Sequence, residues 1–512
     1  MNTLQESKLA SSKNFKASLL RFFILINFIT LILTFMLNFL GQPEVKYAYL
    51  LHVFIAFSAV LLFEFTEIIP IIVTLYFLDG QGRIVWEYAS WARVIFDAIV
   101  FISVIRIYIS HKRIIDLTKI PITLVAFITL HFLWYGIEFS NLYSLSAFSA
   151  IAATKIYIYP ILYFLGISQL AIDTKKDYFQ TTLNFIFLIL ILETGLTIFQ
   201  FYMKDKFILQ ISPYYSKSMR EIVFVKNQFR PYGTTHYPGA ISTYFFLWVG
   251  LLFLKKPSKA QTLLRTALIG SMGFAIVLCQ VRSTFIKFII IVVLINFGEL
   301  LYSRFSLKGF FGVITFAMIF IFGFQYVSNK TSSSNDESLD YARDRISSLA
   351  ETDKIKNSRL DIDRFSTMVL TKILTYPLGF GPGSTGAAAS VTEEGSSNRY
   401  VNQDSTWSGD NIFVALIIDF GVGAIFYILL LLFIPYYFFR YLVQFYYIKS
   451  HVHFKPLLIC FCTSLVILIG NWGAVGITYN PESFAFWFFA AIGFSTIAIY
   501  KKGISPNAAS ST

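Results

Sequence analysis

An all-α, polytopic membrane fold is what this sequence predicts, and three observations carry the prediction. Of 512 residues, 56% are hydrophobic and only 14% charged, with a mean hydropathy of +0.64, too apolar for a water-soluble globular domain. Apolar runs of about 17–25 residues recur, each able to cross a bilayer core of about 30 Å as a helix that satisfies its own backbone. Basic residues gather in the short connections between those runs, where the positive-inside rule expects cytoplasmic loops.

Taken in order, the chain opens with a basic segment, 1–21, carrying Lys8, Lys13, Lys16 and Arg21. A signal peptide has a similar start, but the following run, 22–40, is long and "NFLGQPE" offers no small-residue cleavage site. It reads as a first span behind a cytoplasmic tail. Further runs at 48–63, 67–79, 92–110, 120–137, 148–171 and 178–201 complete an N-terminal membrane segment, 22–201. The stretch 48–79 reads either as one helix kinked at Pro70 or as two spans parted around Glu64 and Glu67. Parity arbitrates: two spans put "HKRIIDLTK", "DTKKD", "KKPSK", "SRFSLK" and "RYLVQFYYIKSHVHFK" inside with the N terminus, and one span would put them all outside. The third span is short, and a re-entrant segment is its alternative.

A polar loop, 202–238, precedes a second membrane segment, 239–327, with runs at 239–254, 265–280, 284–302 and 309–327. A larger polar loop, 328–410, precedes the C-terminal segment, 411–500, with runs at 411–437, 456–474 and 483–500, and a cytoplasmic tail, 501–512. The total is about 12–14 transmembrane helices. Both long loops fall on the outer side. In the larger, Leu339, Ile346 and Leu349 recur at helical spacing, which predicts amphipathic helices at the membrane surface before the glycine-rich "GFGPGSTGAAAS".

The net charge of +13 would suggest nucleic acid in a soluble chain; here it is largely topological, and no nucleic-acid partner is expected. Cys279, Cys460 and Cys462 lie in or beside apolar runs without metal-ligand spacing and read as buried thiols. No metal and no cofactor is expected. There is no D-x-D and no carboxylate cluster, and "GFGPGSTG" lacks the GK[ST] ending of a P-loop.

Four outer-side clusters could carry chemistry. They are Arg230 and His236 in "RPYGTTHYPG"; Arg282 in "CQVRST"; Arg359 in "NSRLDIDRF", followed by Gly379, Gly381 and Gly383; and Asp410, Asn411 and Asp419 in "DNIFVALIIDFGVG". Arginine is always charged, and its planar fork grips phosphate oxygens in pairs. A lipid diphosphate presents such oxygens at the depth of these residues. The alternative is that each arginine snorkels to anionic head groups. His236 and Asp410 are candidate general bases for a sugar hydroxyl, against a plain loop histidine and a helix cap. Glu193 and Lys155, both inside apolar runs, would form a structural pair or line a substrate path. Pro231 and Gly233 would delay helix formation until Pro238, whose fixed φ suits a first helical turn.

The order of these features resembles the bacterial O-antigen polymerase and ligase superfamily over roughly residues 178–437. The matching marks are "R-x-x-G…H-x-P" before a span, an "R-S" turn between two spans, an outer loop with "S-R", then "G-x-G-x-G" and "D-N", with Asp419 matching the acidic residue of the family's "[E/D]-x-G-x-x-G". The resemblance implies a metal-independent glycosyltransferase of the bacterial inner membrane, working on the periplasmic side. In it, Arg230, Arg282 and Arg359 would hold the diphosphate of an undecaprenyl-diphosphate-linked oligosaccharide. That lipid would serve as donor and, on a second molecule, as acceptor, with a chain-length regulator as a possible partner. The ligase branch usually shows "H-N" where this chain has Asp410-Asn411, which favours polymerase. Ligase and flippase or transporter remain the alternatives, and the three arginines are expected to share one outer-face cavity.

Overall fold

The computed structural model describes residues 2–42, 44–78, 117–141, 147–169, 176–204, 224–225, 228–235, 238–254, 259–302, 370–384 except 372, 412–471 and 482–501, with Phe207 and a few positions between 98 and 109. The helices are α1 (Asn2–Leu40), α2 (Val45–Leu62), α3 (Phe65–Phe77), α4 (Ile122–Phe139), α5 (Ala147–Tyr157), α6 (Tyr159–Gln169), α7 (Lys176–Tyr202), α8 (Pro238–Leu254), α9 (Lys259–Leu278), α10 (Arg282–Tyr302), α11 (Ile412–Phe420), α12 (Ala424–Tyr447), α13 (His451–Gly470) and α14 (Glu482–Lys501). The described strands are β1 (Phe224–Val225) and β2 (Gln228–Phe229), a small antiparallel hairpin between α7 and α8. The protein is an all-α polytopic membrane protein. Eight of its helical stretches among the described residues are long and apolar enough to cross a bilayer, counting Ile412–Tyr447 as one, and three shorter apolar helices accompany them.

Where apolar and polar residues lie agrees with a lipid solvent. On α1, Phe22, Leu25, Ile29, Leu33, Met36 and Leu40 are exposed at helical spacing, while Asn27, Thr30 and Thr34 are buried. In water that stripe would be an aggregation surface; against lipid tails it is the ordinary outer face, and polar groups retreat to protein partners.

Two compact units make up the chain. The first comprises residues 1–113, 174–242 and 263–279. In it α3 packs on α2 and α7, and α1 on α2. A polar chain ties the first three helices: His52 Nδ1 and Asn27 Oδ1 are 3.2 Å apart, Asn27 Nδ2 donates to Thr74 Oγ1 at 3.1 Å, and Thr74 Oγ1 donates to the Pro70 carbonyl at 2.8 Å. The chain breaks between α2 and α3 at Phe63–Glu64, and the helix runs on through Pro70. Glu67 stabilises the new start by accepting the Glu64 N–H at 3.0 Å and meeting Lys16 at 3.5 Å. At about 1.5 Å per residue, α3 is only about 20 Å long. It is buried almost throughout from Ile68 to Leu78, which lets so short a helix sit among its neighbours.

The second unit comprises 114–173, 243–262 and 280–512. Within it α13 packs against α10, α12 and α14, and α14 against α6. A buried ion pair joins α10 to α14: Lys287 Nζ lies 2.8 Å from Glu482 Oε1. Asn471 Nδ2 donates to Glu482 Oε2 at 3.0 Å and to the Ile467 carbonyl at 2.6 Å. Gly470 makes room for the pair, since a Cβ there would run into the Lys287 stem.

Several boundaries differ from the sequence reading. The basic tail 1–21 is helical and continuous with the first span. The run 148–171 is two helices parted at Ile158, because Pro160 has no N–H to continue the ladder. The run 411–437 is broken by a 3-10 turn at Gly421–Gly423 and then extends to Tyr447. The expected helices at 92–110 and 309–327, and the amphipathic helices of the large loop, lie wholly or mostly outside the described residues. All three cysteines are buried and unbridged.

Breaking a buried ion pair strands a charge, at about 3–5 kcal/mol, whereas replacing both partners with apolar groups is often near neutral. Lys287→Met alone should therefore sharply lower the unfolding midpoint in detergent. Lys287→Met with Glu482→Met should recover most of the loss, measured by thermal denaturation of the purified variants.

Candidate functional site

Residues 230–235, in the first unit, form a buried non-helical segment, and backbone polar groups at such a place need partners from side chains. Two polar residues on one face of α7 supply them. Gln200 Oε1 accepts the N–H groups of Tyr232 at 3.0 Å and Gly233 at 2.8 Å, while its Nε2 donates to the Gly233 carbonyl at 3.0 Å. Seven residues earlier, Glu193 accepts the Thr234 N–H at 3.1 Å and also the Thr234 hydroxyl. The turn closes on itself as Thr235 Oγ1 donates to the Tyr232 carbonyl at 2.6 Å. Burial pushes the Tyr232 phenol well above its usual range, so it stays neutral.

Gly233 is required there. Its φ is +59°, and a Cβ would lie 2.5 Å from Glu193 Oε2 and 2.9 Å from the Ile241 side chain. Arg230 is 9% exposed and donates from Nε to the Cys279 carbonyl at 3.0 Å. The Cys279 thiol donates in turn to the Pro231 carbonyl at 3.4 Å. Helix α8 starts at Pro238, as its fixed φ predicted.

The second loop, 376–384, is buried from Gly379 to Ser384 and belongs to the second unit. Gly379, Gly381 and Gly383 have φ of 79°, 84° and 85°, a repeated left-handed backbone open mainly to glycine. The loop docks on α11 and the turn after it: Phe380 N–H donates to the Ile418 carbonyl and Val422 N–H to the Pro377 carbonyl, both at 2.8 Å. Phe380 packs among Val414, Ile418 and Tyr376. The approach is so close that a Cβ on Gly379 would lie 2.6 Å from the Gly421 nitrogen, and one on Gly421 would enter the Pro377 carbonyl.

Asp419, fully buried, holds the far end of this loop. Its Oδ2 accepts the Tyr157 hydroxyl at 2.9 Å and the Gly383 N–H at 3.3 Å. Asn141 holds the near end, with Nδ2 donating to the Gly379 carbonyl at 3.2 Å and to Glu138 Oε2 at 2.6 Å. Trp134 donates from Nε1 to the Phe420 carbonyl at 3.0 Å.

Among the sequence candidates, Gly379, Gly381, Gly383 and Asp419 come together in this loop, and Asp419 acts as its anchor. Arg230 lies in the first unit. Arg282 is the first residue of α10 in the second unit, directly after a three-residue turn. His236, Arg359, Asp410 and Asn411 lie outside the described residues, and so does the Lys155 side chain. Glu193 accepts from Thr234, and its expected pairing with Lys155 lies outside the described residues. No group of three or more His, Cys, Asp or Glu that could hold a metal ion occurs among the described residues.

Sequence reasoning missed Gln200, Thr234, Asn141 and Tyr157, all uncharged polar residues in or beside apolar helices. An amide within an apolar run is the signal that would have found Gln200. The fold and its two glycine-dependent buried loops define the class, a polytopic all-α membrane protein. Compared with family models and with curated proteins, the chain matches none.

The glycine requirement is testable. Gly233→Ala imposes a left-handed backbone on a Cβ residue, at roughly 1–2 kcal/mol, besides the clash with Glu193. Its unfolding midpoint in detergent should fall clearly. Gly136→Ala, whose Cβ meets nothing within 4 Å on α4, should leave the midpoint unchanged or raise it.

Proposed function

We propose that this protein is a polymerase of lipid-linked polysaccharide repeat units in the bacterial inner membrane, acting on the periplasmic face. The observation that carries the reading is the order of marks along the chain: Arg230 before one span, Arg282 at the start of α10, Arg359 in the long loop that follows, then the three glycines, Asp410-Asn411 and Asp419. Further support comes from the construction of the loop 376–384, whose buried glycines and Asp419 anchor are elaborate for a simple connector.

In this reaction an acceptor sugar hydroxyl attacks the anomeric carbon of the donor glycan. The new bond forms as the bond from that carbon to the diphosphate oxygen breaks, and the hydroxyl proton passes to a base. Asp410 is the assigned base, with His236 as its competitor. The leaving diphosphate is a stable anion and needs charge stabilisation more than protonation. Arginine supplies that through preorganised donors. The acceptor is a second undecaprenyl-diphosphate-linked oligosaccharide, and the product stays on its lipid. The ligase and flippase readings enter as outcomes of the test.

In cells producing the surface glycan, Arg282→Ala should abolish long chains and leave single repeat units attached to the lipid A core. Complete loss of surface glycan would point to ligase or flippase. With purified protein and lipid-linked repeat units, Arg282→Ala should lower turnover roughly a hundredfold. Asp410→Asn should lower it by a similar order, measured by gel resolution of the polymer. Turnover unchanged in both variants would rule out these assignments.

A further inference from the structure

The turn between α9 and α10 carries a glutamine in costly surroundings. Gln280 lies just past the end of α9 with a left-handed backbone, φ 58°, a helix-terminating conformation that glycine or asparagine fills at least cost. Lys449 takes φ 54° at the matching place after α12, with its side chain exposed. The backbone alone therefore signals only the end of a helix.

The side chain of Gln280 is what differs. It is 1% exposed, and Oε1 and Nε2 both lack a hydrogen-bond partner among the described residues. A buried unmet polar group is destabilising, and glycine at 280 would avoid that cost together with the backbone strain. Val281 beside it is half-buried and Ser283 exposed, and Arg282 opens α10 two residues on.

We propose that the Gln280 carboxamide is a sugar-binding group that reads the first sugar of a lipid-diphosphate glycan. This rests on the proposed function, which places the phosphates at the arginines. A carboxamide offers an acceptor and two donors side by side. A diphosphate presents acceptors only and would leave Oε1 unmet. A sugar hydroxyl or acylamino group both donates and accepts, and so answers both halves of the amide. A site built to hydrogen-bond such groups discriminates strongly against a ligand that lacks them.

The test uses the full-length protein in detergent, with two probes: undecaprenyl diphosphate, and the same lipid bearing one N-acetylhexosamine. Binding is read by titration, and the unliganded unfolding midpoint is measured alongside. Gln280→Met should melt at or above wild type without ligand, because it removes two unmet groups at nearly constant shape. It should bind the sugar-free lipid as wild type does and the sugar-bearing lipid about tenfold more weakly or worse. Gln280→Gly, which also relieves the backbone, should show the same pattern of binding. Equal loss for both lipids, or no loss for either, overturns the sugar-reading role while leaving the proposed function standing. Wild type binding neither lipid overturns both.

Discussion

Non-helical backbone buried among membrane helices must have every N–H and carbonyl answered, and the rest of this structure is arranged around that requirement. Among the described residues, the segments 230–235 and 379–384 are buried without being helical, and each is held by side chains distant in sequence. Gln200 and Glu193 on α7 serve the first; Asp419 on α11 and Asn141 just beyond α4 serve the second. A side-chain amide is well suited to the task, since it can accept from one peptide and donate to another, as Gln200 does across Tyr232 and Gly233. Glycine follows from the same constraint: the loops approach their holders so closely that Gly233, Gly379 and Gly421 have no space for a Cβ.

These holders also change what an ionisable residue in an apolar run means. Asp419, Glu193 and Lys287 share one hydropathy signature, yet they do three different things. Asp419 binds a loop through a peptide N–H and a phenol, Glu193 binds a loop through a threonine, and Lys287 pairs with Glu482 between helices. Arg230 belongs with them in part, because its Nε is committed to a backbone carbonyl. A charged group in such a place therefore describes an architectural demand before it describes chemistry.

The helices were legible because hydropathy and the bilayer dimension act over about twenty residues at once. The start of α8 was legible from one proline. The break at Gly421–Gly423 was hidden, since apart from Asp419 "IIDFGVGAIF" is apolar, and the contact the turn makes, Val422 N–H to the Pro377 carbonyl, comes from a loop distant in sequence. The break near Ile158 was visible in principle at Pro160, but hydropathy runs unbroken through that position. At the candidate site, glycines and charges stood out from an apolar background. Gln200, Asn141 and Gln280 did not, because an amide's role depends on which backbone folds against it.

The Lys287–Glu482 pair has a consequence for biogenesis. Its partners are 195 residues apart, so at about 5–20 residues per second the ribosome delivers Glu482 roughly 10–40 s after Lys287. During that interval α10 holds, near its start, a lysine whose counter-ion does not yet exist, and an unpaired lysine within a span opposes insertion. The isoleucine-rich remainder of α10 offsets that penalty. The helix can be released into the bilayer early, but its final place is fixed only when α14 arrives, so a span synthesised much later completes the packing of an earlier one.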